Sequence, residues 1–150
     1  MPLSDFIPTD AQQRIAECIT EAERHTSGEI CVHVTPTCKR DPLKRAIKTF
    51  NRLKLYQTRR RNAVLIYVAY ESRKFAIIGD VGINKVVDDS FWDNERDALG
   101  KMLLAGRPVD GICDAVTRLG EKLSAFFPAD RTDENELSNE VSFDDIDDED

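Results

Sequence analysis

The stretch Ala63-Val64-Leu65-Ile66-Tyr67-Val68-Ala69-Tyr70 decides the fold. It is apolar at every position, with no alternation between a wet and a dry face. An unbroken apolar run of strand length marks a central strand covered on both sides. The pattern therefore predicts a sheet with helices on each face.

Working outward toward the N-terminus, Pro42 to Tyr56 places Leu43, Ala46, Ile47, Phe50 and Leu53 at helical spacing, with Lys44, Arg45, Lys48 and Arg52 on the opposite side. Before it, Glu29-Ile30-Cys31-Val32-His33-Val34-Thr35 alternates around Ile30, Val32 and Val34 and stops at Pro36. Strand, helix, strand makes a right-handed parallel crossover. Toward the C-terminus, Glu71-Ser72-Arg73-Lys74 turns the chain. Phe75-Ala76-Ile77-Ile78-Gly79 follows too closely to be anything except an antiparallel hairpin partner. The expected class is thus α/β with a short mixed sheet.

The flanks add helices. Thr9-Asp10-Ala11-Gln12 has the form of a capping box, and Ile15, Cys18, Ile19 and Ala22 follow at helical spacing, which predicts a helix from Asp10 to Thr26 stopped before Gly28. Ser90 is the expected cap of another helix ending at Gly106. Pro108 fits the first turn of the last one, which carries Val109, Ile112, Cys113, Val116, Leu119, Leu123 and Phe126.

The 150 residues suit one domain, and the charge divides it sharply from its tail. Residues 129–150 hold 11 acidic groups and one basic, a net −10, against +3 for residues 1–128. The expected organisation is a domain over 1–128 and an acidic tail over 129–150, disordered except around Leu137, Val141 and Phe143. No stretch is long and apolar enough to cross a membrane, and the N-terminus lacks the form of a secretion signal, so a cytoplasmic monomer is expected.

Four cysteines without a CxxC pair and two histidines argue against a zinc cluster or a disulfide framework. Cys18 and Cys113 fall on core faces and are expected to be inert. Cys38, beside Lys39 and Arg40, is the expected reactive thiol. His25 and His33 are expected to be structural, as is Trp92. There is no Walker loop, no GxGxxG and no Ser, His, Asp order suited to a triad.

Acids gather where the third strand leaves the sheet: Gly79-Asp80-Val81-Gly82-Ile83, then Asp88-Asp89-Ser90. Calcium takes six to eight oxygens, and Asp80, loop carbonyls, Asp88 or Asp89, and Glu29 are candidates to converge on one ion. The alternative is that these acids serve helix N-termini and solvent. A second constellation is basic. Residues 39–61 carry ten Lys and Arg against Asp41 alone, a local +9. Its outer face, Lys44, Arg45, Lys48 and Arg52, reads as a solvated surface, a dock for the chain's own tail, or a site for another macromolecule. Nucleic acid is disfavoured, because stacking aromatics are not interleaved with the charges.

Taken in order, Thr26-Ser27-Gly28-Glu29-Ile30, the apolar 63–70 run, Gly79-Asp80-Val81-Gly82-Ile83, Phe91-Trp92 and Ala105-Gly106-Arg107-Pro108-Val109-Asp110-Gly111 resemble the TPM-domain family. The resemblance spans residues 8–128. It implies a three-layer α/β/α sandwich around a short mixed β-sheet, with calcium binding and acid phosphatase activity attributed to some members. Carried over by position, Glu29 and Asp80 match the family's acidic site, with Asp88 and Asp89 beside it. An ion held there would polarise a phosphoryl oxygen. The alternative expectation is a non-catalytic interaction module working through the basic helix face or the acidic tail.

Overall fold

The structure, a computed structural model, describes residues 2–129 and 139–144. At its centre lies β2 (Ala63–Ala69), buried at every position as its composition requires. β1 (Glu29–Thr35) runs parallel to it, from Glu29 opposite Ala63 to Thr35 opposite Ala69. β3 (Lys74–Gly79) runs antiparallel on the other side, with Gly79 opposite Val64. A fourth strand, β4 (Ser142–Phe143), pairs parallel with β1. The sheet order is β3-β2-β1-β4, which leaves β3 as an open edge among the described residues.

Alternation along the strands divides the interior into two cores. Ile30, Val32, Val34, Val64, Ile66, Val68 and Ile77 pack with α2 (Thr9–Glu23), α5 (Asp89–Leu104) and α6 (Pro108–Phe126). Cys31, Leu65, Tyr67, Ala69 and Ala76 pack with α3 (Pro42–Arg52) on the other side. The result is a three-layer α/β/α sandwich. Two short helices, α1 (Leu3–Phe6) and α4 (Val81–Asn84), complete it.

Several local expectations need correction. Thr9 does not cap α2: Pro8 is the cap residue, and the Gln12 side chain donates to the Ile7 carbonyl at 3.0 Å instead. The helix ends at Glu23, not Thr26, because Thr26 bridges to Pro128 and the Ser27 amide donates to Phe127. The end of α6 thereby fixes the approach to β1. α3 stops at Arg52, followed closely by Lys54 in the left-handed region at φ 58°. Its buried face is Arg45, Ala46, Thr49 and Phe50, whereas Leu43 and Ile47 are about half exposed. Arg45 is therefore not on the outer face. Ala46 and Phe50 of the expected apolar face are buried, but the helix meets the sheet on a face rotated away from Leu43 and Ile47, which brings Arg45 and Thr49 inward. Asp88, not Ser90, caps α5 by accepting from the Phe91 amide.

The fourth strand comes from the acidic segment. Val141 is buried, Ser142 and Phe143 lie beside β1, and the Asp144 amide donates to the Val34 carbonyl at 3.0 Å. Leu137, with the rest of 130–138 and 145–150, lies outside the described residues. His33, buried in β1, holds this strand with both ring nitrogens: Nδ1 meets Ser142 Oγ at 2.8 Å and Nε2 meets Asp144 Oδ2 at 3.0 Å. A carboxylate only accepts, so Nε2–H donates to Asp144 and Nδ1 accepts from the hydroxyl. Burial lowers the His33 pKa, opposed by Asp144.

The turn after β3 demands glycine. The Gly82 amide donates to the Arg61 carbonyl at 2.9 Å. A Cβ at position 82 would lie 2.2 Å from the Arg60 carbonyl oxygen and 2.7 Å from that of Arg61. Backbone stands on both sides of this contact, so no side chain can swing away. Gly82→Ala should destabilise the domain by about 2–3 kcal/mol, lowering the melting temperature by roughly 5–10 °C. Differential scanning calorimetry checks this, and an unchanged midpoint would refute the packing described.

Candidate functional site

Where β3 leaves the sheet, Asp80 takes an extended conformation and caps α4, accepting from the Val81 amide at 2.8 Å. The same carboxylate receives a two-pronged hydrogen bond from Arg61: Nε to Oδ2 at 2.6 Å and Nη2 to Oδ1 at 2.8 Å. Fork-to-fork pairing of this kind fixes both planes. Next to it, the Trp92 ring covers the face of Gly79, where a Cβ would approach within 2.6 Å. The Trp92 indole N–H donates to the Asn84 side-chain carbonyl oxygen, and the Asn84 side-chain amide donates to the Gly79 carbonyl. Trp92 thus packs as expected and also locks the end of β3.

These contacts shape a groove of about 520 Å³ along the open edge of β3. Ile77, Ile78, Gly79 and Asp80 form its floor; Leu43, Ile47, Phe50 and Asn51 of α3 form one wall. Trp92, Asp89 and Arg96 of α5, with Asn84 and Arg61, form the other. Two carboxylates and two guanidiniums thus meet in a cleft with apolar sides. Arg96 pairs with Asp93 outside it. Arg61, Arg96 and Asn84 were not legible as site residues, because nothing in their local spacing announces a shared cleft. The signal available for Arg61 was register: it lies just before β2 begins, beside the point where β3 ends.

Of the expected acidic residues, the fold brings Asp80 and Asp89 to the groove and leaves Asp88 and Glu29 outside its lining. Asp88 accepts from Ser90 Oγ at 2.6 Å and from the Phe91 amide, and these bonds lower its pKa. Glu29 and Asp80 lie at the same end of the sheet, flanking Ala63: Glu29 is its partner in register, and the Asp80 amide donates to its carbonyl. Two strand spacings, roughly 10 Å, separate their backbones. Both oxygens of Asp80 are already engaged with Arg61, and among the described residues no group of three or more His, Cys, Asp or Glu is placed to hold a metal ion. The donor set in this arrangement does not fit a calcium ion.

Glu29 instead belongs to a carboxyl pair. It is buried and shares a hydrogen bond with Glu23 of α2, whose Oε2 also accepts from the Ile30 amide at 2.8 Å. Burial, followed by the neighbouring Glu29 carboxylate, pushes the Glu23 pKa up to about 9. Two carboxyls this close hold a proton between them.

The basic face is thinner than its sequence. Lys44 and Lys48 are exposed, Arg45 is buried, and Arg52 reaches Asp144 at 3.2 Å beside the His33 contact. Cys38 is 1% exposed and its thiol contacts the Arg40 carbonyl, so the expected reactive thiol is enclosed. The Ser72 hydroxyl accepts from the Cys38 amide, and the side chain packs in the core on the α3 side of the sheet.

A three-layer sandwich with this sheet order and an edge groove defines the class of domain. The TPM domain profile matches residues 3–122, and the chain belongs to the TPM-domain family. It is similar to the BA42 protein of the psychrophilic bacterium Bizionia argentinensis, with 39% identity and a TM-score of 0.88, over 95% of this chain and 98% of that one. The N-terminal domain of the cg2496 protein from Corynebacterium glutamicum shares the fold, with 15% identity and a TM-score of 0.61, over 77% and 72% of the two chains. No curated relative matches. No helix among the described residues is long and apolar enough to cross a membrane.

The Glu23–Glu29 pair makes stability depend on pH. The unfolded chain releases the Glu23 proton near 4.5 and the folded chain near 9, so folding takes up a proton between these values. Stability from this group is complete below pH 4.5 and declines as pH rises toward 9. Glu23→Gln keeps an acceptor for Ile30 and a donor for Glu29 without the titration. It should be more stable than wild type by about 1–3 kcal/mol at roughly pH 8 and indistinguishable from it at about pH 4. Urea unfolding at the two pH values checks this, and equal gains at both would refute the shared proton.

Proposed function

We propose that the groove beside β3 receives a phosphate monoester and that this TPM domain hydrolyses such esters weakly. The observation carrying the proposal is the convergence of Arg61, Arg96, Asp80 and Asp89 on one cleft with apolar walls. Arg61 spends Nε–H and one Nη2–H on Asp80 and retains three further N–H donors. Arg96 has donors beyond those directed at Asp93. Guanidinium forks match phosphate oxygens. Asp80 holds Arg61 in place, Asp89 offers a carboxylate that accepts a proton from a water attacking phosphorus while the ester P–O bond breaks and the leaving oxygen takes its proton from solvent, and Leu43, Ile47 and Trp92 offer contact to the organic part. Calcium takes no part in this step; its binding, expected from the resemblance, is a separate arm of the test.

The open edge favours a second reading, an interaction module. The Asp80 amide bonds to Ala63, so the strand period turns the main-chain groups of Phe75, Ile77 and Gly79 outward. An extended peptide could add there as a further strand.

Inorganic phosphate titrated into labelled protein should shift the Arg61 and Arg96 side-chain signals and the Trp92 indole. Arg96→Gln should weaken phosphate binding about tenfold, one charged hydrogen bond's worth, and reduce turnover of a generic aryl phosphate. Silence at tens of millimolar phosphate would end the phosphate reading. Shifts produced only by extended peptides, centred on the Phe75, Ile77 and Gly79 amides, would favour the interaction module. A calcium titration at millimolar concentrations, followed by Asp80→Asn, reads metal binding independently.

A further inference from the structure

We infer that Cys18 and Cys113 form an oxidisable dithiol, a modification site at which a peroxide welds α2 to α6. Three contacts ascend together along these helices: Arg14 with Asp110, Cys18 with Cys113, and Ala22 with Gly120. The two helices therefore run side by side in the same direction. They approach closely at Gly120, where a Cβ would lie 2.7 Å from that of Ala22. Midway along this seam the two sulfurs stand 2.9 Å apart. A disulfide requires about 2.05 Å, so the sulfurs must close by roughly 1 Å or less.

The two thiols are not equivalent. Cys18 is half-buried, open to a small oxidant, while Cys113 is 4% exposed and waits behind it. In the first step the Cys18 sulfur attacks the O–O bond of hydrogen peroxide, giving a sulfenic acid and one water. In the second the Cys113 sulfur displaces that hydroxyl, its thiol proton leaving with it as a second water, and the S–S bond forms. The two thiols lose two electrons and the peroxide gains them. Burial pushes the Cys113 thiol up to about 12, with the Cys18 hydrogen bond adding to it and Arg14 opposing it, which makes the closing step slow near neutral pH and faster in alkali. The other two cysteines, Cys31 and Cys38, belong to the core on the α3 side of the sheet.

The test uses the full chain. Millimolar hydrogen peroxide should lower the free thiols from four to two, and peptide mapping should find Cys18 joined to Cys113 within one chain, reversed by dithiothreitol. The oxidised protein should melt about 10 °C higher, since the bridge closes a loop of nearly a hundred residues. In Cys113→Ser, dimedone should label Cys18 as the trapped sulfenic acid. Four surviving thiols, a bridge between any other pair, a link between chains, or no label on Cys18 in that variant would each overturn the proposal. The wild-type mapping decides even if the variant fails to fold.

Discussion

The hydrogen-bonded clamp at one end of the sheet is the constraint on which the site depends. The segment leading into β2 passes directly against the turn leaving β3, with the Gly82 amide on the Arg61 carbonyl and the Arg61 side chain on Asp80. Arg61 adopts φ 52°, a conformation that only a firmly held non-glycine residue sustains. One residue thus contributes a carbonyl to the turn and a guanidinium to the groove. Asp80, with its side chain 5% exposed, meets this charge and a helix N-terminus together. Both of its oxygens thereby find hydrogen-bond donors. The clamp sets the groove's floor and places a guanidinium beside it.

The opposite edge is closed by different means. β1 would expose its ladder groups, but Ser142–Phe143 covers part of them, and buried His33 supplies the polar anchors. Two residues of strand bury too little to hold by themselves. The Arg52 contact to Asp144 and the Asn139 bond to Thr20 extend the strap from α3 to α2. Among the described residues the sheet therefore has one capped edge and one open edge, and the groove lies on the open one.

The fold was legible because it is written in period and continuity. The unbroken apolar 63–69 run, the alternation over 29–35 and the short turn after Tyr70 state the mixed sheet directly, and the β1 bounds agree to the residue. What could not be read depends on partners distant in sequence. Leu43 and Ile47 satisfied the helix period yet lie half exposed at the groove. The Asp88 cap outranked Ser90 by geometry that spacing does not encode. Glu29 looked like a metal ligand because an acid at a strand start is ambiguous; only the approach of Glu23 from α2 makes it half of a carboxyl pair. Asp80 and Asp89 were legible as acids at a sheet end, but the two arginines beside them were not.

The same distinction shows how the formal charge of +9 over residues 39–61 is distributed in the fold. Its arginines are largely committed: Arg45 is buried, Arg52 faces Asp144, and Arg61 holds Asp80. Planar guanidinium forks suit fixed, directional partners, whereas lysine ammonium groups are strongly hydrated and keep to solvent. Lys39, Lys44, Lys48 and Lys54 accordingly stand exposed. Charges of that kind act through a screened field that fades within about 8 Å at physiological salt. Attraction to a polyanion there would be a matter of encounter, whereas the directional donors suited to an anion of definite geometry are the guanidiniums, of which Arg61 of this segment lines the groove together with Arg96 of α5.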